Sequence, residues 1–418
     1  MTHMKIAAPR GTQDILVERS AVWQRIEAEA MKIFRSAGFS EIRTPIFEAT
    51  ELFDRAVGED SDIVNKEMYT FKDRSDRSLT LRPEATASIA RAFIENSLDR
   101  EGKPQKLWYR GPMFRYERPQ TGRYRQFHQI GIEALGAKAP YIDLEIIQLG
   151  ISLLESLGLN DLTLYINSIG NKASRQNYIT ALKEFLSTLQ DQVCDDCKRR
   201  FAQNPLRCLD CKIPGDQELY KNAPIIHDYF DEESKEIWAQ MQTGLDGLGI
   251  KYIVDPKLVR GLDYYSHCVF EVKSNAVELA AQNTVLAGGR YDNLVETLGG
   301  ASTPAVGWAL GIERLAQIIK EPEIRYVSAY IISDASTEAQ KLAQQLRIST
   351  KYQVVIEYDY ENSKFKKQLE RALKKSSDWI IFYMGDERLS GKFKIKNLKQ
   401  EQEISNLSYE ELVKKLEL

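Results

Sequence analysis

Apolar residues recur at Val22, Ile26, Ala30, Ile33 and Phe34, a stripe at helical spacing that Gly38 ends. Residues 39–47 then read as a short strand, whose Pro45 lacks an N–H and suits an edge or an interface. Alternating segments at 68–73 and 78–81 precede Arg82-Pro-Glu-Ala-Thr86, where the pattern turns helical after Pro83. Residues 107–136 predict two antiparallel strands joined by a turn at 118–122. A helix over 141–157, a strand over 162–167 and a helix over 173–189 follow. From about 191 to 255 the chain is helical and polar and interrupts the strands, as an insertion would. Strand character returns at 263–273, 285–289 and 304–310, the last leading into a helix over 312–319. Hairpins with helices between and after them imply an antiparallel α+β domain over 1–324. Past Pro322, strand candidates at 326–333, 354–358, 379–383 and 393–397, with helical or polar segments between them, predict a small α/β domain over 325–418.

Composition changes this picture little. A chain of 418 residues can bury a sizeable core, and its net charge of −3 creates no global field for a polyanion. The exception is local: residues 364–399 hold eleven basic and four acidic side chains. The N-terminus has no apolar signal core and no later apolar run is long enough to span a bilayer. Five cysteines in a chain this long make no disulfide scaffold, so a reducing cytoplasm is the expected location. Neither GxxxxGK[ST] nor GxGxxG is present, which excludes a P-loop or dinucleotide-type nucleotide site.

The candidate chemistry is concentrated in the 107–136 ribbon. Arg110, Arg115, Arg118, Arg123 and Arg125 fall within sixteen residues that contain one acid, Glu117. Planar guanidinium forks suit a ligand with several phosphates, although a salt-bridged surface hairpin fits this stretch equally well. Gln129 and Glu133, four apart on a strand, share a face. Glu84 and Thr86 open a helix, where ordinary N-terminal polar residues are the plainer account. Leu258-Val-Arg-Gly-Leu-Asp-Tyr-Tyr265 sets an arginine near an acid and paired tyrosines, and Tyr291 follows the glycine turn of Ala287-Gly-Gly-Arg-Tyr-Asp292. Cys194-x-x-Cys197 and Cys208-x-x-Cys211 can hold zinc tetrahedrally. The ten-residue gap is shorter than ribbon spacing and no knuckle glycine follows, so free thiols in a helical insertion are favoured.

Taken together, RPEAT, FRYERPQTGRYRQFHQ, LVRGLDYYSHCVFEV, AGGRYD and GWALGIERL resemble the class II aminoacyl-tRNA synthetases, and LVRGLDYY narrows this to the histidyl-tRNA synthetases. The likeness runs over almost the whole chain, with one visible departure, Ala85 where the family usually has glycine. The resemblance implies an antiparallel sheet flanked by helices, a helical insertion, a C-terminal α/β anticodon-binding domain and a homodimer whose interface includes the region of Pro45. It implies ATP with Mg²⁺, L-histidine and tRNA(His) as the species handled. Adenine would stack on Phe127; Arg115 would hold the α-phosphate, Arg123 and Arg314 the tail, and Arg260 would be the catalytic cation on the far side. Glu84, Thr86, Gln129, Glu133, Tyr264, Tyr265 and Tyr291 would form the amino-acid pocket, while Arg118 and Gln120 would meet the tRNA acceptor end. The alternative is a catalytically silent relative, a regulatory subunit of ATP phosphoribosyltransferase. Such relatives lack the anticodon domain and degrade the catalytic arginines, whereas Arg115, Arg123, Arg260 and Arg314 are all present here.

Overall fold

The computed structural model describes residues 6–417 except 59–60, 62, 103, 121, 280–282 and 321–325, so the expected boundary at Pro322 lies outside the described residues. The chain divides into two compact units, Met1–Pro322 and Glu323–Leu418. In the first unit the strands are β1 (Ser40–Glu41), β2 (Phe47–Ala49), β3 (Tyr69–Lys72), β4 (Ser78–Leu81), β5 (Gln105–Phe114) and β6 (Gln126–Leu135). They continue as β7 (Leu162–Ser168), β8 (Tyr252–Val254), β9 (Ser266–Ser274), β10 (Thr284–Arg290) and β11 (Ala305–Gly311). Among the described residues an eight-stranded sheet runs β1-β5-β6-β11-β10-β9-β7-β8. Its six central strands pair antiparallel and only the edge pairs β1–β5 and β7–β8 are parallel. A smaller sheet, β2-β4-β3, accompanies it.

The alternation of β6 explains why the sheet has two unlike faces. Ile130, Ile132 and Ala134 enter the main core, packed with Phe34 from helix α1 (Val17–Ser36). Each fully buried aliphatic side chain there contributes roughly 2 kcal/mol of transfer free energy, so packing, more than propensity, holds the helices on the sheet. The opposite face meets α2 (Thr50–Val57) and α3 (Thr86–Glu95) through Phe53, Val57, Ile89 and Phe93. It also carries Phe127, Gln129 and Glu133, with Gly131 between them. Helix α4 (Tyr141–Ser156) lies on the apolar side, and Trp308 Nε1 on β11 donates to its Ile146 carbonyl at 2.8 Å.

Between β7 and β8, α5 (Lys172–Ser187) precedes the expected insertion, which comprises α6 (Asp195–Gln203), α7 (Pro214–Leu219) and the start of α8 (Glu232–Gly247), with short 3-10 turns between. It ends earlier than its polarity implies. Met241 and Leu245 of α8 join the main core, and β8 pairs parallel with β7 at Leu164, Tyr165 and Ile166. Three residues are too few to show alternation, which hides this edge strand in the sequence. Two further expectations change for equally local reasons. Residues 39–47 are divided between β1 and β2 in different sheets, with Pro45 in the break, where its missing N–H costs no ladder bond. Residues 263–264 form a turn, and β9 begins only at Ser266.

Among its described residues the second unit forms a five-stranded sheet, order β13-β12-β14-β15-β16, from β12 (Ser328–Ile332), β13 (Val355–Tyr358), β14 (Trp379–Phe382), β15 (Phe393–Asn397) and β16 (Glu403–Leu407). The first three strands are parallel and β15 and β16 antiparallel. Ile331, Leu346, Ile381 and Leu412 are buried in its core. The polar edge strand β16 has no counterpart in the sequence reading. Much of the 364–399 basic stretch is engaged locally: Arg371 pairs with Asp359 and Glu361, Lys375 with Glu357, Lys394 with Glu403 and Lys399 with Asp378.

Candidate active site

The inner end of the site is assembled around Glu133. Arg82, itself buried, donates from Nε to the Pro112 carbonyl (2.9 Å) and from Nη1 to the Thr44 carbonyl (3.1 Å), which fixes the segment entering α3 against β5. Glu84 then caps the helix: its carboxylate accepts from the Thr86 and Ala87 amides at 2.7 and 2.9 Å. Ordinary helix capping is therefore part of what Glu84 does, and it leaves lone pairs facing the cavity that Glu84 lines. Thr86 turns its hydroxyl the other way and donates to Glu133 Oε1 at 2.7 Å. The Tyr291 hydroxyl donates to Glu133 Oε2 at 2.5 Å. Gly307 faces Glu133 across the β6–β11 ladder, and a Cβ there would fall on the carboxylate.

Tyr291 is aimed by its neighbour. Arg290 is fully buried and donates from Nε and Nη2 to both oxygens of Asp143 on α4 at 3.0 and 2.5 Å, and from Nη1 to Asp292 at 2.8 Å. Removing one partner of such a buried pair typically costs about 3–5 kcal/mol. Tyr264 closes the aromatic wall, its ring centroid 4.7 Å from Tyr265 and 5.6 Å from Tyr291.

Burial makes this end electrostatically unusual. It pushes the Glu133 carboxyl up to about 8, against the opposing hydrogen bonds from Tyr291 and Thr86 and with a further push from Glu84. Glu84 is raised as well, again by burial. Neither carboxyl has an ion-pair partner among the described residues. The Tyr109 hydroxyl and Gln129 Oε1 are also buried without a hydrogen-bond partner among the described residues. Native structures leave few such atoms unsatisfied, so a pocket that gathers them with two carboxyls is built for a polar ligand.

The outer end holds the arginines. Arg115 donates from Nε to the Pro83 carbonyl at 2.9 Å and lies over the Phe127 ring at 5.3 Å. Arg123 reaches Glu117 at 3.1 Å. Arg260 pairs with Glu271, which also accepts from Thr284 Oγ1 at 3.0 Å. The acid beside Arg260 is thus Glu271, and Asp263 accepts from Asn204 at 2.6 Å instead. Arg314 donates to the Thr284 carbonyl, and burial and the nearby Arg123 together lower its pKa. All four of these arginines and every expected amino-acid-pocket residue line one cavity of about 920 Å³. Arg118 and Gln120 do not. They are exposed at the tip of the hairpin, where Gln120 and Arg123 exchange backbone hydrogen bonds at 3.1 and 2.9 Å.

Glu271 and Tyr109 were missed in the sequence. Both sit on strands at positions whose alternation marks an inward face, but nothing local distinguishes them from ordinary strand residues. The cysteines are also regrouped. Cys194, Cys197 and Cys211 meet Asp216, with ligand atoms all within 4.8 Å of one another, and Cys208 is not in that group. Its thiol points instead at the Cys197 carbonyl, 3.6 Å away.

An antiparallel sheet that sets arginines over one end of a buried carboxylate pocket, joined to a second unit with a mixed sheet, defines a class II aminoacyl-tRNA synthetase. The histidyl-tRNA synthetase family model matches residues 11–315, and an anticodon binding domain model matches residues 327–417. The chain belongs to the histidyl-tRNA synthetase family. It is 47% identical over 402 residues to the histidine–tRNA ligase of Thermodesulfovibrio yellowstonii, covering 95% of this chain and 94% of that protein. The apo histidyl-tRNA synthetase of S. aureus superposes with a TM-score of 0.82 at 37% identity, covering 99% of this chain and 100% of that one. A Bacillus halodurans C structure titled an ATP phosphoribosyltransferase regulatory subunit/histidyl-tRNA synthetase shares the fold at 23% identity and a TM-score of 0.65, over 91% of this chain and 99% of that one. No helix among the described residues is long and apolar enough to cross a membrane.

Proposed function

We infer that this chain is a histidine–tRNA ligase that uses ATP to form histidyl-adenylate and passes the histidyl group to the 3′ end of tRNA(His). The observation that carries this reading is the single cavity in which Glu133, held by Thr86 and Tyr291, faces the same space as Arg115, Arg260 and Arg314. An imidazole presents one donor and one acceptor. Glu133 and Glu84 offer acceptors, and Tyr264 and Tyr109 offer hydroxyls that can meet either need. Gln129 and Tyr265 complete the pocket wall. A non-polar side chain of similar size leaves these buried groups unpaired, which supplies strong rejection.

In the first step the histidine carboxylate attacks the α-phosphorus, the bond to the bridging oxygen breaks and pyrophosphate leaves. The work of this chain is positioning and charge stabilisation, with no nucleophilic side chain. Phe127 stacks the adenine, Arg115 and Arg260 flank the α-phosphate, and Arg123 and Arg314 hold the tail. A magnesium ion carried on ATP would find a hard oxygen donor in Glu271, which lines the same cavity. That ion supplies further neutralisation of the phosphates.

Arg118 and Gln120, exposed at the hairpin tip, are free to meet the acceptor end of the tRNA, and the 325–418 unit reads the anticodon. The functional unit is a cytoplasmic homodimer with residues near Pro45 at its interface. The regulatory-subunit reading fails to explain why four arginines remain lining the cavity beside an intact carboxylate pocket. The deciding measurement is ATP–pyrophosphate exchange with each of the twenty amino acids in turn. Stimulation by histidine alone is expected; stimulation by another amino acid, or by none, overturns the assignment.

A further inference from the structure

The insertion holds a second constellation that amino-acid activation does not use. Cys194 is the N-cap of α6 and Cys197 lies in its first turn, so both thiols sit at the N-terminal end of one helix. Cys211 and Asp216 come from the segment that leads into α7 and from that helix itself. Cys194 Sγ lies 3.9 Å from Cys211 Sγ, and Cys211 Sγ lies 3.3 Å from Asp216 Oδ2. Zn–S bonds of about 2.3 Å at a tetrahedral ion place two sulfurs roughly 3.8 Å apart. The Cys194–Cys211 separation matches two thiolates on one zinc ion and is nearly twice the roughly 2.05 Å of a disulfide, and all four ligand atoms lie within 4.8 Å of one another.

Burial strengthens this. Cys197, Cys211 and Asp216 are 1%, 4% and 3% exposed, and the Tyr220 hydroxyl is placed beside Cys197, where it can donate to a thiolate. The Cys194 amide also donates to Asp216, at 3.2 Å, which fixes the carboxylate's orientation. The regrouping removes the spacing objection raised by the sequence. Paired as Cys194-x2-Cys197 and Cys208-x2-Cys211, the gap is ten residues. Read as the structure groups them, the spacing is Cys-x2-Cys-x13-Cys-x4-Asp, inside the range of small zinc sites whose second pair is three to five apart.

We propose that Cys194, Cys197, Cys211 and Asp216 form a closed structural zinc site, and that the ion fastens the insertion beneath the catalytic loop. Three soft thiolates and one carboxylate in a closed four-donor set select zinc over magnesium or calcium. The site's position gives it a purpose. The apolar core around the cysteines includes Leu258 and Tyr265, the two ends of the LVRGLDYY stretch. Between Cys197 and Cys211, Asn204 holds Asp263 at 2.6 Å, and Arg207 reaches to 3.9 Å from where a Cβ on Gly261 would stand. An ion clamping both ends of 197–211 thus secures the platform on which Arg260 and Tyr265 rest. On binding, each thiol loses its proton to solvent, and the cluster undergoes no redox change.

The test is metal analysis of the full-length protein, purified without chelator from zinc-supplemented cells, with cobalt(II) substitution as a spectroscopic readout. About one zinc per chain is expected, with thiolate-to-cobalt charge-transfer absorption in the cobalt form. Cys211→Ser and Asp216→Asn should each weaken zinc binding at least tenfold, whereas Cys208→Ser should keep it. A metal-free wild type overturns the site, as does a Cys194–Cys211 disulfide revealed by three titratable thiols under denaturing, non-reducing conditions. Loss of zinc in Cys208→Ser with retention in Asp216→Asn overturns the ligand set in favour of four cysteines. Because wild-type stoichiometry and Cys208→Ser each decide the matter, a misfolded Cys211→Ser protein does not shelter the proposal. None of these readouts depends on amino-acid activation.

Discussion

The two ends of the cavity are built on opposite plans. At the inner end the carboxyls have been drawn out of water and tied to other groups: Glu84 to its helix, Glu133 to Thr86 and Tyr291, with Tyr291 in turn aimed by the Arg290–Asp143 lock. At the outer end each arginine rests on a partner it can leave: Arg123 on Glu117, Arg260 on Glu271, Arg115 on the Pro83 carbonyl and Arg314 on the Thr284 carbonyl. A small, rigid ligand that must be told from its look-alikes calls for preorganised contacts, whose cost is met when the chain folds. A large polyanion brings its own charge, so parked cations suffice, and their mutual repulsion, as between Arg314 and Arg123, is relieved when it arrives.

This contrast can be broken by experiment. The largest effect should come from Arg260→Ala, which on the proposed mechanism removes a cation required only as charge builds on the phosphoryl oxygens. Adenylate formation should fall on the order of 10²–10³-fold or more. Circular dichroism and histidine binding should stay near wild type, and a normal pre-steady-state burst would refute the role. Next, Glu133→Ala leaves the Thr86 and Tyr291 hydroxyls unpaired. Histidine affinity should drop by roughly 10–100-fold, the 1–3 kcal/mol of an orphaned buried group, while the KM for ATP changes little. Equal losses for both substrates would erase the distinction between the two ends.

A pH comparison sharpens the same point. Glu133 has a folded pKa of about 8, above the ordinary glutamate value, so the folded state holds a proton that the unfolded chain has released. Its contribution to stability is complete below the ordinary value and is lost as pH rises through about 8. Wild type should therefore lose a few kcal/mol relative to Glu133→Gln between pH 6 and 9 in denaturant titrations at constant ionic strength. A pH-independent difference would mean that the carboxyl is already ionised. The smallest effect belongs to Arg123→Ala, whose side chain is 49% exposed. The KM for ATP should rise only about two- to fivefold, and less at high salt; a loss as large as that of Arg260→Ala would contradict the parked-cation picture.

Legibility followed the range of the interactions. The alternation on β6 put Gln129 and Glu133 on one face, because a strand's period is local, and the register with β5 and β11 agrees. Phe127 shares that face for the same reason. Arg115 and Arg123 stood out because arginines crowd one ribbon, but only the fold separates them from Arg118, whose neighbouring position leaves it outside the cavity. Glu271 was invisible, since a lone acid on a strand carries no signal until Arg260 is found against it. Asp216 was hidden by a misleading cue: the two CxxC pairs drew attention to Cys208 and away from the carboxylate five residues past Cys211.

By itself, then, the chain's pattern determined most of the strands, the amphipathic helices, the ribbon of arginines and the family they resemble, since each depends on residues within a turn or a pleat of one another. Tertiary structure alone decided which polar groups share a cavity. Thr86 and Glu133 are 47 positions apart and Glu133 and Tyr291 are 158 apart, and no local rule links them. They meet because burying the apolar faces of β5, β6, β10 and β11 in one sheet brings their polar faces together. The site is formed by what that packing leaves on the other side.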